Sequence, residues 1–275
     1  MITKNTPFFS IVTISYNQAI FLKDCIESVL NQTFRDFEYI IQDPGSSDAS
    51  REIIKSFKSK KLKFFFEDDH SPADGLNKGF AKASGKFYLF LNSDDLLLKN
   101  ALEEFYIFIN KYPYYDVFSG ATEIIDENSK KIRISYSDKF NLNRAAYGHC
   151  NLMQQSTTFR SSLFHSVGGF NKFNKAHWDG ELFIDFGLKR AKFFKTDRIL
   201  SKYRVTNDSI TGSGKFEYLN ETFFKSMYKK IKGKNSGRGY IFVSFFYQYL
   251  RKFLNLKDTF QRLLYGPVFK RKSAK

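Results

Sequence analysis

The chain of 275 residues is predicted to be an α/β protein. The expected form is a doubly wound, mostly parallel sheet, then an irregular α+β half, then a C-terminal helical extension. Three observations predict this. Four strongly apolar runs alternate with helix-periodic stretches in the first third, and no hairpin signal joins them. The regular alternation then stops, and shorter strand and helix patterns follow. Last comes a basic tail that carries a helix-length apolar run.

Phe8 to Ile14 is a buried-strand pattern that ends at Ser15-Tyr16-Asn17-Gln18, and Ile20 to Asn31 places Ile20, Leu22, Ile26, Val29 and Leu30 at helical spacing. Phe37 to Gln42 is a second strand, stopped by Asp43. The turn cluster Pro44-Gly45-Ser46-Ser47-Asp48 follows, with Asp48 as an N-cap for a helix beginning near Ala49. Leu62 to Phe66 is the third strand, followed by the acidic loop Glu67-Asp68-Asp69. Asp74 to Ala83 reads as a helix closed by Gly85, and Phe87 to Leu91 is the fourth strand.

Ligands of open α/β sheets bind beyond the carboxyl ends of the strands. That rule places Asn17, Asp43, Asp69 and the pair Asp94-Asp95 along one rim. Paired carboxylates there suit a hard divalent cation. The alternative reading is that Asp94 and Asp95 start the next helix, since acids favour helix N-termini.

In the second half, Leu98 to Lys111 is a helix. Val117 to Ile125 and Lys131 to Ser135 are strands joined at Asp126-Glu127-Asn128. Ser156 to Phe159 is a short strand, and Ser161 to Val167 a helix closed by Gly168-Gly169. Asp179 to Leu188 is helical, and Lys192 to Phe194 and Leu200 to Val205 are strands. Lys230 to Arg238 reads as a linker. Tyr240 to Leu256 is a nearly apolar helix flanked by basic residues. It lies either on an anionic membrane surface or against the body with a solvated basic face.

Net charge is +16, but Lys215 onward holds 15 Lys/Arg and three acids, a net +12, which leaves +4 for the rest. A nearly balanced body argues against nucleic acid as a partner. Cys25 and Cys150 form neither a disulfide framework nor a metal-ligand spacing. The stretch Met1 to Pro7 has no apolar signal core, and no run reaches the length of a membrane span. The expectation is a cytoplasmic protein that can sit on the inner face of the plasma membrane.

The ordered motifs SIVTISYNQ, LKDCIESVLNQT, IIQDPGSSDAS, ADGLNKGFAKASGKFYLFLNSDD, GGF and HWDGELF resemble family 2 glycosyltransferases with the GT-A fold, as found in bacterial cell-surface polysaccharide synthesis. The resemblance spans about residues 8–211. It implies a nucleotide-binding half over residues 1–120 and an acceptor half over 121–212, and it does not cover the basic extension expected over 213–275. It further implies an inverting enzyme that uses Mg²⁺ or Mn²⁺ and moves a sugar from a nucleotide-sugar, UDP-linked, to a glycan or lipid-linked glycan.

Residue by residue, the resemblance assigns Asp43 to the nucleotide base, with Asn17 and Ser15 lining the same pocket. Asp74 and Lys78 close over the ribose and diphosphate. Asp95 binds the metal, Asp94 supports the donor, and Gln155 lies near the reacting sugars. Asp179 is the catalytic base. Without the resemblance, Asp179 is a helix-capping acid and Asp43 a turn former. Glu181 is either a supporting acid or a solvated helix residue.

Two positions depart from the family pattern. Pro44 stands where an acid or glycine is usual, and Thr206 where many relatives have a histidine. Two other functions compete. A sugar-phosphate nucleotidyltransferase would need a glycine-rich loop after the first strand, and SYNQ has no glycine. A nucleic-acid-binding module would spread basic and aromatic residues over the sheet.

Overall fold

The expected parallel half forms from β1 (Phe9–Ile14), β2 (Phe37–Gln42), β3 (Leu62–Phe65) and β4 (Phe87–Asn92). The computed structural model describes residues 6–206, 219–237 and 239–266. The expected boundary at residues 212–213, and the end of the basic tail, lie outside them.

These four strands lie in the order β3-β2-β1-β4 and all run parallel. Their apolar runs are continuous because both faces are covered, as parallel sheets require. On one face Phe9, Ile11, Leu89 and Leu91 pack against α1 (Ala19–Leu30) and α4 (Ala101–Lys111). On the other, Val12, Ile40, Tyr88 and Phe90 meet α3 (Pro72–Ala81), α6 (Ser161–Ser166) and α7 (Trp178–Leu188). The helix α1 buries Leu22, Cys25, Ile26 and Val29. Full burial of each large aliphatic side chain there contributes about 1.5–3 kcal/mol. Gly79 lets α3 approach β1, since a Cβ there would lie 2.5 Å from Val12.

The second half extends the same sheet. β6 (Val117–Ile125), β8 (Thr157–Arg160) and β9 (Phe193–Arg204) complete the order β3-β2-β1-β4-β8-β6-β9-β5. β5 is Leu96–Leu97, and β7 (Lys131–Tyr136) pairs with β6. β8 is antiparallel to both its neighbours, whereas β6 and β9 are parallel.

Several expected boundaries shift. Leu96–Leu97 pairs with Ser201 and Lys202, so the helix expected from Leu98 begins at Ala101. The two strands expected at Lys192–Phe194 and Leu200–Val205 are one strand, β9, which follows β6 through a register irregularity. Gln154–Ser156 is a 3-10 turn, so the short strand starts after it. A four-residue helix, α5 (Leu142–Ala145), was not anticipated. The helix α2 is Ser50–Ser56 with Ala49 at its cap position. Asp48 instead bridges two helices. Its Oδ1 accepts from Ser50 N at 3.0 Å and its Oδ2 from Ala19 N at 2.9 Å.

Three helices end the described chain: α8 (Leu219–Lys232), α9 (Tyr240–Leu254) and α10 (Leu256–Tyr265). The linker expected from Lys230 starts later, because Lys230 is still helical and pairs with Glu181 and Asp185. Among the described residues no helix is long and apolar enough to cross a membrane.

Candidate active site at the strand ends

Register puts Ile14, Gln42 and Asn92 in one row across β1, β2 and β4. The residues that follow them therefore leave the sheet at one rim. After β1, Asn17 adopts a left-handed φ of 52°. Its Oδ1 accepts from Ser47 N at 2.8 Å, and its own N–H donates to Ser46 Oγ at 2.9 Å. Ser15 Oγ is buried there with no hydrogen-bond partner.

Asp43 is fully buried and holds the same turn. Its Oδ1 accepts from Gly45 N at 3.1 Å, Ser46 N at 2.9 Å and Arg51 Nε at 3.0 Å, and its Oδ2 from Ser46 Oγ at 2.6 Å. Ser15, Asn17 and Asp43 thus belong to one connected pair of turns.

Beyond β3, Asp74 sits in the first turn of α3. Its Oδ2 accepts from His70 N at 3.1 Å and pairs with Lys78 Nζ at 3.2 Å. Lys78 Nζ also donates to Asp68 O. Burial, with help from the Asp74 charge, pushes the Asp69 carboxyl up to about 6.

The acids after β4 do not cap a helix, since α4 begins only at Ala101 with Asn100 at its cap position. Asp95 is fully buried, and its Oδ1 accepts from Arg204 N at 3.0 Å. Burial raises the pKa of both acids, and the Asp94 charge pushes Asp95 further.

Arg204 had no role in the sequence-based reading, yet it organises this corner. Its Nε donates to Asp94 O at 3.1 Å and its Nη1 to Asp126 O, Glu127 O and Ser129 Oγ at 3.2, 3.0 and 2.9 Å. Its guanidinium lies 4.6 Å from the centroid of the Phe21 ring. The signal was present as a basic residue ending an apolar strand, but its partners lie far away in sequence. Gln154, also missed, donates from Nε2 to Phe90 O at 2.7 Å. Gln155 is buried beside it in the 3-10 turn, which packs on β4, β5 and β9.

Among the described residues, no three His, Cys, Asp or Glu side chains cluster around a possible cation. A magnesium-like ion that keeps its waters and draws on substrate phosphates needs only one or two carboxylates. Asp95 Oδ2 and Asn92 Oδ1 are buried without a hydrogen-bond partner. The residues present therefore fit such an ion.

Asp179 lies in the first turn of α7, half-buried, and burial raises its pKa above the ordinary carboxylate value. The loop before α7 is tied to α3. Asn77 Nδ2 donates to Phe170 O at 2.8 Å, Phe170 N donates to Asn77 Oδ1 at 2.9 Å, and Ser71 Oγ donates to Lys172 O at 2.9 Å. Gly169 has φ +80°, and a Cβ there would lie 2.6 Å from Asn77 Oδ1, so glycine is required in GGF. These bonds join the approach to Asp179 to the helix that carries Asp74 and Lys78. No hydrogen bond joins Asp179 to Asp94 or Asp95.

Glu181 is not a solvated residue. It accepts from Asn171 Nδ2 at 3.2 Å and Asn174 Nδ2 at 2.7 Å, and it pairs with Lys230 at 3.2 Å, which anchors α8 and the loop together.

Residues 10–168 match glycosyl transferase family 2. The chain belongs to that family. An uncharacterized glycosyltransferase of Rickettsia typhi (strain ATCC VR-144 / Wilmington) is 27% identical over 245 residues, which are 83% of this chain and 76% of its own. The crystal structure of S. aureus TarS 1-349 in complex with UDP-GlcNAc is similar at a TM-score of 0.66 and 17% identity, over 94% of this chain and 73% of that one. Against the TarS crystal structure with the longer chain, the match covers 43% of that chain. Mannosyltransferase PcManGT from Pyrobaculum calidifontis, in complex with GDP-Man and Mn²⁺, gives a TM-score of 0.63 at 13% identity, over 95% of this chain and 75% of that one. At those identities the structural likeness establishes the fold, which is GT-A. The protein is a glycosyltransferase.

Proposed function

We propose that this glycosyltransferase moves a sugar from a UDP-linked donor onto a hydroxyl of a cell-surface glycan or lipid-linked glycan, with inversion at the anomeric carbon. The observation that carries the reading is the buried, partnerless Asp95 oxygen at the end of β4, beside Asp94. The UDP-GlcNAc bound to TarS favours the uridine donor, and the Mn²⁺ of PcManGT favours a divalent ion.

In this reading residues 1–120 hold the nucleotide. The turns built by Ser15, Asn17 and Asp43 receive the base. Asp43 acts there chiefly by shaping the turn, because its oxygens already accept four hydrogen bonds. Lys78 turns from Asp74 and Asp68 toward the diphosphate, and Asp94 and Gln155 orient the donor. Asp95 and Asn92 would hold Mg²⁺ or Mn²⁺, which when bound neutralises charge on the leaving diphosphate.

Residues 121–212 supply the acceptor side. Asp179 takes the proton of the acceptor hydroxyl as its oxygen bonds to the anomeric carbon. The bond from that carbon to the diphosphate oxygen breaks, and the nucleoside diphosphate leaves with the electron pair. One displacement inverts the configuration. A raised carboxyl pKa makes Asp179 a stronger base than an exposed aspartate. Residues 213–275 form an extension that places the enzyme at the cytoplasmic face of a membrane.

The test is a panel of nucleotide-sugars with Mn²⁺ or Mg²⁺, read as nucleotide release. The reading expects one uridine donor to be turned over and to lose turnover in Asp95→Ala. Inert uridine donors, or an unaffected Asp95→Ala, would refute it.

A further inference from the structure

The helix pair α9–α10 is docked inside out. Its polar face is turned to the body and its apolar face to solvent. On the body side, Arg251 Nε meets Asp138 Oδ2 at 2.6 Å, and Asn255 Nδ2 donates to Asp138 Oδ1 at 2.7 Å. Asp258 is buried among Arg133, Arg251 and Arg262 at 3.6, 3.2 and 2.7 Å. The free edge of β7 is closed by the same face. Ile134 N donates to Gln261 Oε1 at 2.9 Å and Tyr136 N to Asp258 Oδ1 at 3.2 Å. Covering an edge strand in this way engages Arg251, Asn255, Asp258 and Gln261.

The opposite face of α9 carries Phe242, Phe246, Tyr249 and Phe253, a single stripe at i, i+4, i+7 and i+11. Phe242, Phe246 and Phe253 are 77%, 61% and 73% exposed. Leu256, Phe260, Leu263 and Leu264 continue it along α10, all exposed. A contiguous exposed apolar surface of this kind marks an interaction site.

We propose that this surface lies on an anionic lipid bilayer, with the aromatic stripe in the headgroup–acyl boundary. Charge selects the occupant. Residues 240–275 hold eight Lys/Arg and one acid, and that acid, Asp258, is already enclosed by arginines. Lys252 flanks the stripe and is exposed, whereas Lys257, also exposed, pairs with Asp197 at 2.6 Å. A second copy docked here would bring two basic surfaces together, whereas anionic headgroups neutralise them. The inference names the surface behind the membrane location proposed above and is independent of the transfer chemistry.

The experiment is flotation of the full chain with phosphatidylglycerol-containing vesicles and with phosphatidylcholine vesicles. Wild type should float with the former, and salt should weaken the binding. The triple variant Phe242→Ser/Phe246→Ser/Phe253→Ser should bind about tenfold more weakly or less, since membrane affinity scales with buried apolar area. Its unfolding transition should be unchanged, because the stripe is not packed on the body. Lys252→Glu should weaken binding to the anionic vesicles only. Equal flotation of the triple variant and wild type would overturn the proposal. So would a wild-type dimer, formed without lipid, that the triple variant converts to a monomer. Nucleotide release in solution is read on the same samples, so a failed transfer reading and a failed membrane reading are told apart.

Discussion

The rim of the parallel sheet and the C-terminal helix pair handle polarity in opposite ways. At the rim, apolar strands are sealed between helices and release their polar residues only where the strands end. In α9–α10 Arg251, Asn255, Asp258 and Gln261 face inward, onto Asp138 and the edge of β7, and Phe242, Phe246, Phe253 and Phe260 face out. The first arrangement concentrates unsatisfied oxygens, Asp95 Oδ2 and Asn92 Oδ1, at one place. The second leaves few polar groups unsatisfied and a large apolar surface uncovered. Unsatisfied polarity marks a site for an ion or substrate, and unsatisfied apolarity marks a site for a surface.

The largest expected effect separates chemistry from binding at the rim. Asp179→Asn should lower kcat about 10²–10⁴-fold while the affinity for UDP stays unchanged. A wild-type rate in this variant would remove Asp179 from the mechanism. The sign of the pH dependence follows from the proposed role: a base must be ionised, so the rate should fall as pH drops through a pKa above the ordinary value of 3.8.

Next in size are the two buried charge centres. Asp258→Asn leaves Arg251, Arg262 and Arg133 without their shared carboxylate. Breaking a buried pair in this way costs about 3–5 kcal/mol, read as faster hydrogen exchange in α9–α10. Burial opposes the charge on Asp258, but Arg262 and Arg251 overcome it and hold its pKa below 3.8. Its folded pKa is depressed, so its contribution is fully present above pH 3.8 and lost as pH falls through the lower folded value. The helix pair should stay protected at pH 5. At the rim, Arg204→Met strands the carbonyls of Asp94, Asp126 and Glu127 and should cost roughly 3 kcal/mol, read as a lower Tm. If it does not, the corner around Asp95 is held by something other than Arg204.

The parallel half was legible because its strands are buried on both faces, so the apolar runs from Phe9, Phe37 and Phe87 stand out unbroken. The acids that end them were legible for the same reason. Leu96–Leu97 was not, since a two-residue strand has no period, and it displaced the start of α4. Arg204 was hidden because what it binds lies about eighty to over a hundred residues earlier. The period of α9 gave its amphipathic stripe but not which face turns inward. That choice depends on Asp138 and on the edge of β7, more than a hundred residues away.

The smallest expected effect is electrostatic. Asp69 should titrate near 6 by NMR, and Asp74→Asn should lower that midpoint, because the Asp74 charge adds to the effect of burial. An unchanged midpoint would mean that the Asp74 charge does not reach Asp69.

In the proposed reaction the partnerless Asp95 oxygen would bind the ion that carries the donor diphosphate. Calorimetric titration of UDP into wild type and Asp95→Asn, with and without Mn²⁺, decides whether it does. Wild type should bind UDP at least about tenfold more tightly with Mn²⁺, as expected when an ion joins carboxylate and phosphate oxygens, and Asp95→Asn should lose that gain. Equal gains in both proteins would mean that Asp95 does not hold the ion.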